Sequence, residues 1–357
     1  MNHDLDTASK YVYGLGSFAE RVVNSLSEIN VKIDGIIDHI DNMPIKAWSL
    51  PCFKLSEIEL RDEDIIFLGV CNLYGDLKRI SENIREINPK VKILGPVQLA
   101  IELNERGYAF TNYWLSGDTS IYDSATEEIG DFESLLSDVR SKEILHSIIE
   151  YRTHGLIDTL PQPDPLSEQY LPLDLPTPPN QLQILELGSF RGEDIVRLQK
   201  RGFEFLFGLA LEPDLGNYLQ LVENLKLNEI SKIVPLPLGA WSSTTTLRFN
   251  ASGASGARVE DYGDEVVSVI SPDDLAYGLS INYIKMDIEG AEEHAIVGAQ
   301  KIIARYLPHL AISVYHEPNH LWELGLTVER MVPEKYDFYL RSYGHQTFDT
   351  VLYCIPR

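Results

Sequence analysis

Acidic residues and glycines stand together in the second half of the sequence, at the end of an apolar segment. In residues 183–194, QILELGSFRGED, the acid Glu186 comes just before a turn that holds Gly188 and Gly192. A buried strand that breaks at glycines and starts a helix exposes bare backbone and a helix N-terminus, and both features bind nucleotide-like ligands. Such turns are common, so this one gains its weight from the residues that follow at regular intervals.

Two later strands are predicted with residues at their ends that suit a nucleotide. The strand over residues 204–211 ends at Glu212 and Pro213, and a carboxylate there can accept two hydrogen bonds from a ribose diol. A third strand, IVPLPLGAW, closes on the small residue Ala240 and on Trp241. Trp241 could flank an adenine ring, although packing in the core explains a tryptophan there equally well.

The next two predicted strands end on charged or titratable side chains. The segment INYIKMDI predicts a buried strand whose end carries Lys285, Asp287 and Glu289, and HLAISVYH predicts a strand that ends on His316. Carboxylates at the carboxyl end of a strand face the crevice where open α/β folds bind ligands. We therefore expect these side chains to border a ligand site.

Residues 316–320, HEPNH, match the HExxH signature of zinc proteases. That motif needs a helix, because its two histidines must share one face to bind the metal. Here the motif follows a predicted strand and holds Pro318 at its centre, which disfavours a continuous helix. We discount a zinc protease and predict no metal centre.

Composition narrows the class of protein. The chain has 357 residues, which predicts about two domains, and 54 acidic against 30 basic residues, which disfavours a nucleic-acid binder. Its three cysteines are far apart, so buried thiols are favoured over disulfides. It has no secretory signal pattern and no apolar run of about 18 residues, so we expect a cytoplasmic protein that does not act at a membrane.

The first hundred residues predict a small Rossmann-like α/β domain. Strand, glycine turn and helix follow one another in YVYGLGSFAERVVNSLSE, with a GxGxxA pattern at Gly14, Gly16 and Ala19. A second strand over residues 32–38 ends on Asp38, at the distance used to bind a ribose. Two interpretations stay open: a nucleotide-sugar or dinucleotide site, and a scaffolding or dimerising unit without a ligand.

The domain boundaries follow from these patterns. We predict a Rossmann-like domain over residues 1–110, a helical and proline-rich connector over 111–180, and a ligand-binding domain over 181–357. Short strands over 245–249 and 266–270 enclose a glycine- and serine-rich loop, residues 252–263, of the kind that folds over a substrate or is merely exposed. The chain closes with a predicted antiparallel pair of strands.

The C-terminal domain resembles the FkbM-type methyltransferases, a branch of the S-adenosylmethionine-dependent class I fold. Five segments in order carry the resemblance: ELGSFRGEDI, LALEPDLGNYLQLVENLKLN, INYIKMDIEGAEEHAIVGA, AISVYHEPNHLWEL and YDFYLRSYG with DTVLYCIP. The first segment departs from the common pattern, because Glu186 stands where aspartate is usual and fewer glycines form the loop. The resemblance implies an α/β fold with a seven-stranded, mostly parallel sheet, preceded by the small Rossmann-like domain.

The resemblance also implies roles for the residues above. The methionine part of S-adenosylmethionine would lie along the glycine turn, the ribose at Glu212 and the adenine near residues 239–241. The implied cofactor-binding residues are Glu186, Gly188, Ser189, Gly192, Glu212, Pro213, Ala240, Trp241 and Asp287. A general base must assist a neutral hydroxyl, and His316 and Asp287 are the catalytic candidates. Glu289 and Lys285 are candidates for substrate binding.

Three functions are weighed. The first is O-methylation of a hydroxyl on a sugar, glycan or secondary metabolite, by a protein that the resemblance and the apolar connector favour as a homodimer. The second is a nicotinamide-dependent oxidoreductase or nucleotide-sugar enzyme that uses the N-terminal glycine turn. The third is a non-catalytic binding protein, which loss of the strand-end acids would indicate; Glu186, Glu212 and Asp287 are all present.

Overall fold

A computed structural model describes residues 8–42, 44–249 and 265–357 of the chain. The predicted loop over residues 252–263 lies outside the described residues. The chain divides into two compact units. The first comprises Met1–Thr126, Ile144–Pro163 and Gly344–Phe348, and the second comprises Glu127–Glu143, Asp164–Tyr343 and Asp349–Arg357. The segment predicted as a connector is thus shared between the two units.

The first unit contains a six-stranded sheet in the order β3-β4-β2-β1-β5-β6. Its strands pair in parallel except for β3, which runs antiparallel to β4. The strands of this unit are β1 (Lys10–Tyr13), β2 (Gly35–Asp38), β3 (Lys46–Ala47), β4 (Leu50–Lys54), β5 (Ile65–Leu68), β6 (Lys92–Leu94), β7 (Thr111–Asn112) and β8 (Leu115–Ser116). The helices are α1 (Ser17–Glu28), α2 (Leu77–Ile87), α3 (Pro96–Glu105) and α4 (Ser120–Ser124).

This arrangement confirms the predicted small Rossmann-like fold. Helix α1 buries Ala19, Val22, Val23 and Leu26, the face that the 3.6-residue period of the sequence predicts. The chain leaves β1 for β2 on one side and later places β5 on the other side of β1. The carboxyl end of β1 is therefore the point where strand order reverses, which is where open α/β sheets bind ligands.

Two helices connect the parts of the chain, where a single periodic stretch was predicted over residues 131–151. They are α5 (Thr126–Leu135) and α6 (Val139–His154). The second helix was expected to start at Ser141 and starts two residues earlier. The carboxylate of Asp138 accepts the N–H of Ser141 at 2.7 Å, which satisfies one of the free donors of the first turn.

The second unit is built on a seven-stranded sheet in the order β11-β10-β9-β15-β16-β18-β17, as the resemblance predicted. Neighbouring strands from β11 to β16 pair in parallel, and β18 runs antiparallel to both β16 and β17. Its strands are β9 (Gln181–Leu187), β10 (Glu204–Leu211), β11 (Ile233–Leu236), β15 (Tyr283–Met286), β16 (His309–Ser313), β17 (Tyr336–Ser342) and β18 (Thr350–Pro356). A three-stranded sheet joins β12 (Gly239–Ala240), β13 (Thr245–Phe249) and β14 (Glu265–Ile270).

The helices of the second unit alternate with the strands along the chain, as in α/β folds whose parallel strands are buried on both faces. They are α7 (Glu193–Lys200), α8 (Leu215–Leu227), α9 (Pro272–Leu275), α10 (Glu292–Gly298), α11 (Gln300–Tyr306) and α12 (His320–Met331). The single helix predicted over residues 291–307 is two helices, which meet at Ala299. Among the described residues, no helix is long and apolar enough to cross a membrane.

The proline-rich segment before β9 belongs to the core of the second unit. Tyr170, Leu171 and Leu175 are buried with Leu182 of β9 and Ile195 of α7 in one hydrophobic cluster. The segment cannot form a regular element because of its prolines, but its apolar side chains still pack against the sheet. It therefore places Tyr170 at the carboxyl edge of the sheet.

Candidate active site

The glycine turn, residues 188–192, follows β9 and leads into α7. Gly188 and Ser189 both donate their N–H groups to the carbonyl oxygen of Leu211, at 3.1 and 2.9 Å. Gly188 has a φ of 78°, and a Cβ atom placed on it would stand 1.8 Å from the backbone oxygen of Asp287. Gly192 has a φ of 81° and is the N-cap of α7. Side chains are excluded at Gly188 because the turn lies directly against the end of β15.

Lys285, in β15, contacts the backbone of this turn. Its ammonium donates to the carbonyl oxygen of Gly188 at 2.6 Å and lies 3.4 Å from a carboxylate oxygen of Asp194. Burial lowers the pKa of Lys285, but the charges of Asp194, Asp287 and Glu186 offset this and raise it. Lys285 is 3% exposed. The contacts of this residue are with the turn, and its substrate-binding role stays a prediction.

Glu186 lies opposite Lys285 in the register of β9 and β15 and is buried. Within the described residues, neither of its carboxylate oxygens has a hydrogen-bond partner. Burial raises the pKa of Glu186 to about 8, against the opposing charge of Lys285. It borders a small cavity together with Tyr170 and Asp194. A buried carboxylate without a donor is costly, so this position favours a cationic group as its partner.

Glu212 ties the end of β10 to the glycine turn. One of its carboxylate oxygens accepts the N–H of Phe190 at 2.8 Å, and the other accepts the N–H of Asp214 at 2.9 Å. Burial raises the pKa of Glu212. Pro213, which follows it, precedes the start of α8. Each oxygen keeps a second lone pair, so Glu212 can still accept hydrogen bonds from a diol.

Ala240 ends β12 of the three-stranded sheet and Trp241 follows it; a Cβ built on the preceding Gly239 would stand 3.9 Å from the Cβ of Pro213. The indole ring of Trp241 stacks on the imidazole of His294, with ring centroids 3.6 Å apart and planes inclined by 24°. Trp241 is partly exposed and Ala240 is buried. The stacked pair is a flat surface at which an aromatic ring could bind.

A cluster of carboxylates and imidazoles fills the space beyond β15 and β16. We call it the acid–histidine cluster; its members are Asp287, Glu289, Glu292, His316 and His320. Nε2 of His316 lies 3.4 Å from Oδ1 of Asp287 and 3.6 Å from Oε2 of Glu289. The hydroxyl of Tyr170 donates to Oδ2 of Asp287 at 2.8 Å.

Glu292 is the centre of this cluster. Its oxygens accept the backbone N–H groups of Ile288 and Gly290 at 2.8 and 3.1 Å. Nδ1 of His316 lies 2.9 Å from Oε1, and Nδ1 of His320 lies 3.3 Å from Oε2. Burial raises the pKa of Glu292, but the two histidines overcome this and lower it. Burial lowers the pKa of His316, and Glu292, then Glu289 and Asp287, raise it to about 10.

The two histidines of the HEPNH sequence thus meet at one carboxylate. Strand β16 ends at Ser313 and α12 begins at His320, so residues 316–319 precede the helix. The HExxH zinc site requires two histidines on one face of a helix, and these two histidines do not share such a face.

Residues 189–346 match the family model of the methyltransferase FkbM domain. This match covers less than half of the chain. Among solved structures, the methyltransferase FkbM from Methylobacillus flagellatus KT is similar over 97% of this chain and 90% of that chain, with a TM-score of 0.81 and 20% identity. That likeness shows a shared fold across both units.

Other comparisons are more distant. An rRNA methylase from Streptococcus thermophilus is similar over 50% of this chain and 89% of that chain, with a TM-score of 0.34 and 10% identity. A search of curated proteins finds no match. The family model thus supports a methyltransferase of the FkbM type over residues 189–346, and the full-length likeness shows the fold.

The second unit brings the predicted residues together in two groups. Gly188, Ser189, Gly192, Glu212 and Pro213 border the glycine turn, with Glu186 and Lys285 beneath it. Asp287, Glu289 and His316 form the outer part of the acid–histidine cluster. The backbone of Asp287 joins the groups, since it borders Gly188. Trp241 stacks on His294 directly after β12, whose Gly239 approaches Pro213.

Two residues of the acid–histidine cluster and its surroundings, Glu292 and Tyr170, were not among the predicted site residues. Glu292 starts α10, where an acid is ordinarily explained by the helix dipole. Its partner His316 belongs to another segment, so spacing along the chain could not link them. Tyr170 lies in the proline-rich segment, and its hydroxyl donates to Asp287 at 2.8 Å and lies 3.2 Å from the hydroxyl of Ser313.

Proposed function

We propose that the chain is an S-adenosylmethionine-dependent O-methyltransferase that acts on a hydroxyl of a sugar, glycan or secondary metabolite. The position of Asp287 carries the proposal. Its backbone oxygen borders the glycine turn at Gly188, and its carboxylate belongs to the acid–histidine cluster. One residue therefore lies beside both the proposed cofactor turn and the groups that can accept a proton.

The residues present fit S-adenosylmethionine. Glu186 offers a buried carboxylate without a donor, which suits the cationic amino group of the methionine part. Gly188 provides bare backbone, and Glu212 keeps acceptor capacity for the ribose diol. When bound, this cofactor supplies an activated methyl group for transfer to a nucleophile.

Asp287 is the proposed acceptor of the hydroxyl proton. A neutral hydroxyl is a weak nucleophile, so a base that removes its proton assists the transfer. The side chain of Asp287 is 25% exposed, whereas that of His316 is 1% exposed, with a carboxylate facing each ring nitrogen. The hydroxyl of Tyr170 holds one oxygen of Asp287, which orients the other.

A nucleotide-sugar in the first unit belongs to the same proposal. Gly14 has a φ of 114° at the end of β1, and Asp38 closes the neighbouring strand β2. This is the arrangement in which a Rossmann-like sheet holds a nucleotide.

Transfer of a labelled methyl group tests the proposal. The purified chain is incubated with methyl-labelled S-adenosylmethionine and a panel of sugars, glycans and hydroxylated metabolites. We expect transfer to at least one hydroxylated acceptor, and we expect Asp287→Asn to reduce the rate by about 100-fold or more while S-adenosylhomocysteine still binds.

Glu293→Gln is the matched control, because Glu293 is an exposed acid next to the cluster. It should transfer the methyl group at the rate of the unchanged chain. Full activity in Asp287→Asn would show that Asp287 is not the base. Transfer to amines or thiols alone would show that the acceptor group is not a hydroxyl.

A further inference from the structure

Glu292 has more contacts than an acid that only stabilises the N-terminus of a helix would need. It is fully buried, the N–H groups of Ile288 and Gly290 donate to its two oxygens, and Nδ1 of His316 and Nδ1 of His320 lie 2.9 and 3.3 Å from them. Because the two hydrogen-bond donors are backbone groups, the carboxylate has one fixed position. A charge in that position acts on its neighbours at short range and without screening by water.

His316 transmits this charge to the outer part of the cluster. Its Nδ1 faces Glu292, and its Nε2 faces Asp287 and Glu289 on the opposite side of the ring. With carboxylates on both sides, the form with both ring nitrogens protonated makes favourable contacts that the neutral ring cannot make on both sides at once.

We propose that Glu292 is a positioning residue that holds His316 as a fixed cation, and that this cation orients the carboxylates of Asp287 and Glu289 toward the acceptor. The effect on methyl transfer rests on the proposed function. The charge of His316 does not, and can be measured by itself.

The acids packed around His316 favour this arrangement, and His320 is the second imidazole beside Glu292, with its Nδ1 at 3.3 Å. The acids that act on it are Asp287, Glu289, Glu292 and, from the start of β18, Asp349. The hydroxyl of Tyr315 also donates to Asp287, at 3.4 Å. Several carboxylates near one buried imidazole are compatible only if they have a positive partner, since unpaired buried charges cost several kcal/mol each, in order of magnitude.

A metal ion is the competing occupant. Asp287, Glu292 and His316 each offer a ligand atom within 4.8 Å of the others. Glu292, however, already has two backbone N–H groups and two imidazoles at its oxygens, and a metal would have to displace these contacts. The observed contacts therefore favour the imidazolium.

Nuclear magnetic resonance of the full chain, labelled with ¹⁵N at its nine histidines, measures the charge directly. His316→Gln identifies the signals of His316. We expect both ring nitrogens of His316 to stay protonated up to about pH 9 in the unchanged chain, and to titrate close to the ordinary midpoint of about pH 6.5 in Glu292→Gln. Glu293→Gln, the exposed neighbour, should leave the titration unchanged.

Three outcomes overturn the proposal. The first is a midpoint for His316 near pH 6.5 in the unchanged chain, and the second is an identical titration in Glu292→Gln. The third is stoichiometric binding of Zn²⁺ that shifts the His316 signals, which would assign the cluster to a metal. If Glu292→Gln does not fold, Glu289→Gln serves instead, since it removes one charge 3.6 Å from Nε2 and should lower the midpoint by a smaller amount.

The pH dependence of methyl transfer tests the positioning role. In Glu292→Gln we expect the rate to fall by about 10-fold as the pH rises through about 6.5, because His316 then loses its charge and Asp287 its orientation. The unchanged chain should show no such decline. If the His316 titration behaves as expected but no acceptor is ever methylated, the proposed function fails and the inference about the charge stands.

Discussion

The two units of the chain carry the same turn at the same place in their sheets and use it differently. In the first unit, Gly14 turns the chain after β1 with a φ of 114°, and Asp38 ends the neighbouring strand. In the second unit, Gly188 turns it after β9 with a φ of 78°, and Glu212 follows the neighbouring strand. From the sequence, both read as nucleotide-binding turns.

The acids of the two turns have different partners. Oδ1 of Asp38 accepts the N–H of His39 at 2.6 Å, and the ring of His39 stacks on Tyr13, whose hydroxyl lies 2.8 Å from Nδ1. Glu212 instead accepts the N–H of Phe190, within the glycine turn itself. Asp38 thus contacts its own neighbour in sequence, whereas Glu212 binds and fixes the glycine turn of its unit. A glycine turn followed by an acid therefore predicts the fold, and the contacts of the acid indicate how it is used.

The largest expected effect separates the two glycines. In Gly188→Ala, the new Cβ would meet the backbone oxygen of Asp287 at 1.8 Å, whereas in Gly14→Ala it would meet that of Gly69 at 3.0 Å. We expect Gly188→Ala to lose about 3 kcal/mol or more of stability and Gly14→Ala about 1–2 kcal/mol. Hydrogen exchange of the β9 and β1 amides measures each unit separately.

Gly202→Ala is the control for backbone strain alone. Gly202 has a φ of 89°, and nothing lies within 4 Å of a Cβ built on it. It should cost about 1 kcal/mol, the penalty of a left-handed conformation for an L-residue. Equal losses in Gly188→Ala and Gly202→Ala would show that the turn does not press against β15.

Binding of S-adenosylhomocysteine separates the two acids. We expect Glu212→Ala to weaken binding by about 100-fold, which corresponds to about 2.7 kcal/mol, because both the ribose contact and the fixed turn are lost. Asp38→Ala should leave binding unchanged. Calorimetric titration measures both, with NADH and a UDP-sugar as parallel ligands.

The parallel ligands decide between the units. One result would assign the activity to the first unit. In that result the chain binds NADH or the UDP-sugar but not S-adenosylhomocysteine, and Asp38→Ala abolishes the binding. It would then support the oxidoreductase or nucleotide-sugar alternative.

Most of the fold was predictable because local and long-range signals agree in it. Helix α1 follows the 3.6-residue period of its apolar residues, and the central strands β9 and β15 are apolar runs closed by turns. The break at Ala299 was missed, because the apolar period continues through residues 291–307 and nothing in the composition marks an end. Periodicity finds elements more reliably than their ends.

The candidate site was predictable only where it follows strand ends. Glu186, Glu212, Asp287 and His316 all stand at such ends, and the sheet brings them to one edge. Glu292 could not be found in this way, because its importance comes from contacts with residues of other segments. The raised pKa of His316 was also hidden, since the residue type predicts an ordinary base, whereas the neighbouring carboxylates raise its pKa to about 10.

The smallest effect concerns the residue two positions before each glycine. Glu186 stands there in the second unit and the fully buried Val12 in the first. Because burial raises the pKa of Glu186 to about 8, its carboxyl group is mostly protonated at about pH 7 without ligand. A cationic amino group stabilises the carboxylate, so binding of S-adenosylhomocysteine should release about one proton from Glu186 at that pH.

Calorimetry in buffers with different ionisation enthalpies counts the released proton. The sign follows from the direction of the pKa shift: release should be greatest between the ordinary pKa of about 4.5 and the raised value of about 8, and should vanish above it. Glu186→Gln cannot lose a proton and should bind without release, at a cost of about 1–2 kcal/mol for the lost charge contact. Release that persists in Glu186→Gln would place the proton on another group. The carboxyl group of Glu186 would then take no part in the proton release, and Glu186, like Val12 of the first unit, would serve only in packing.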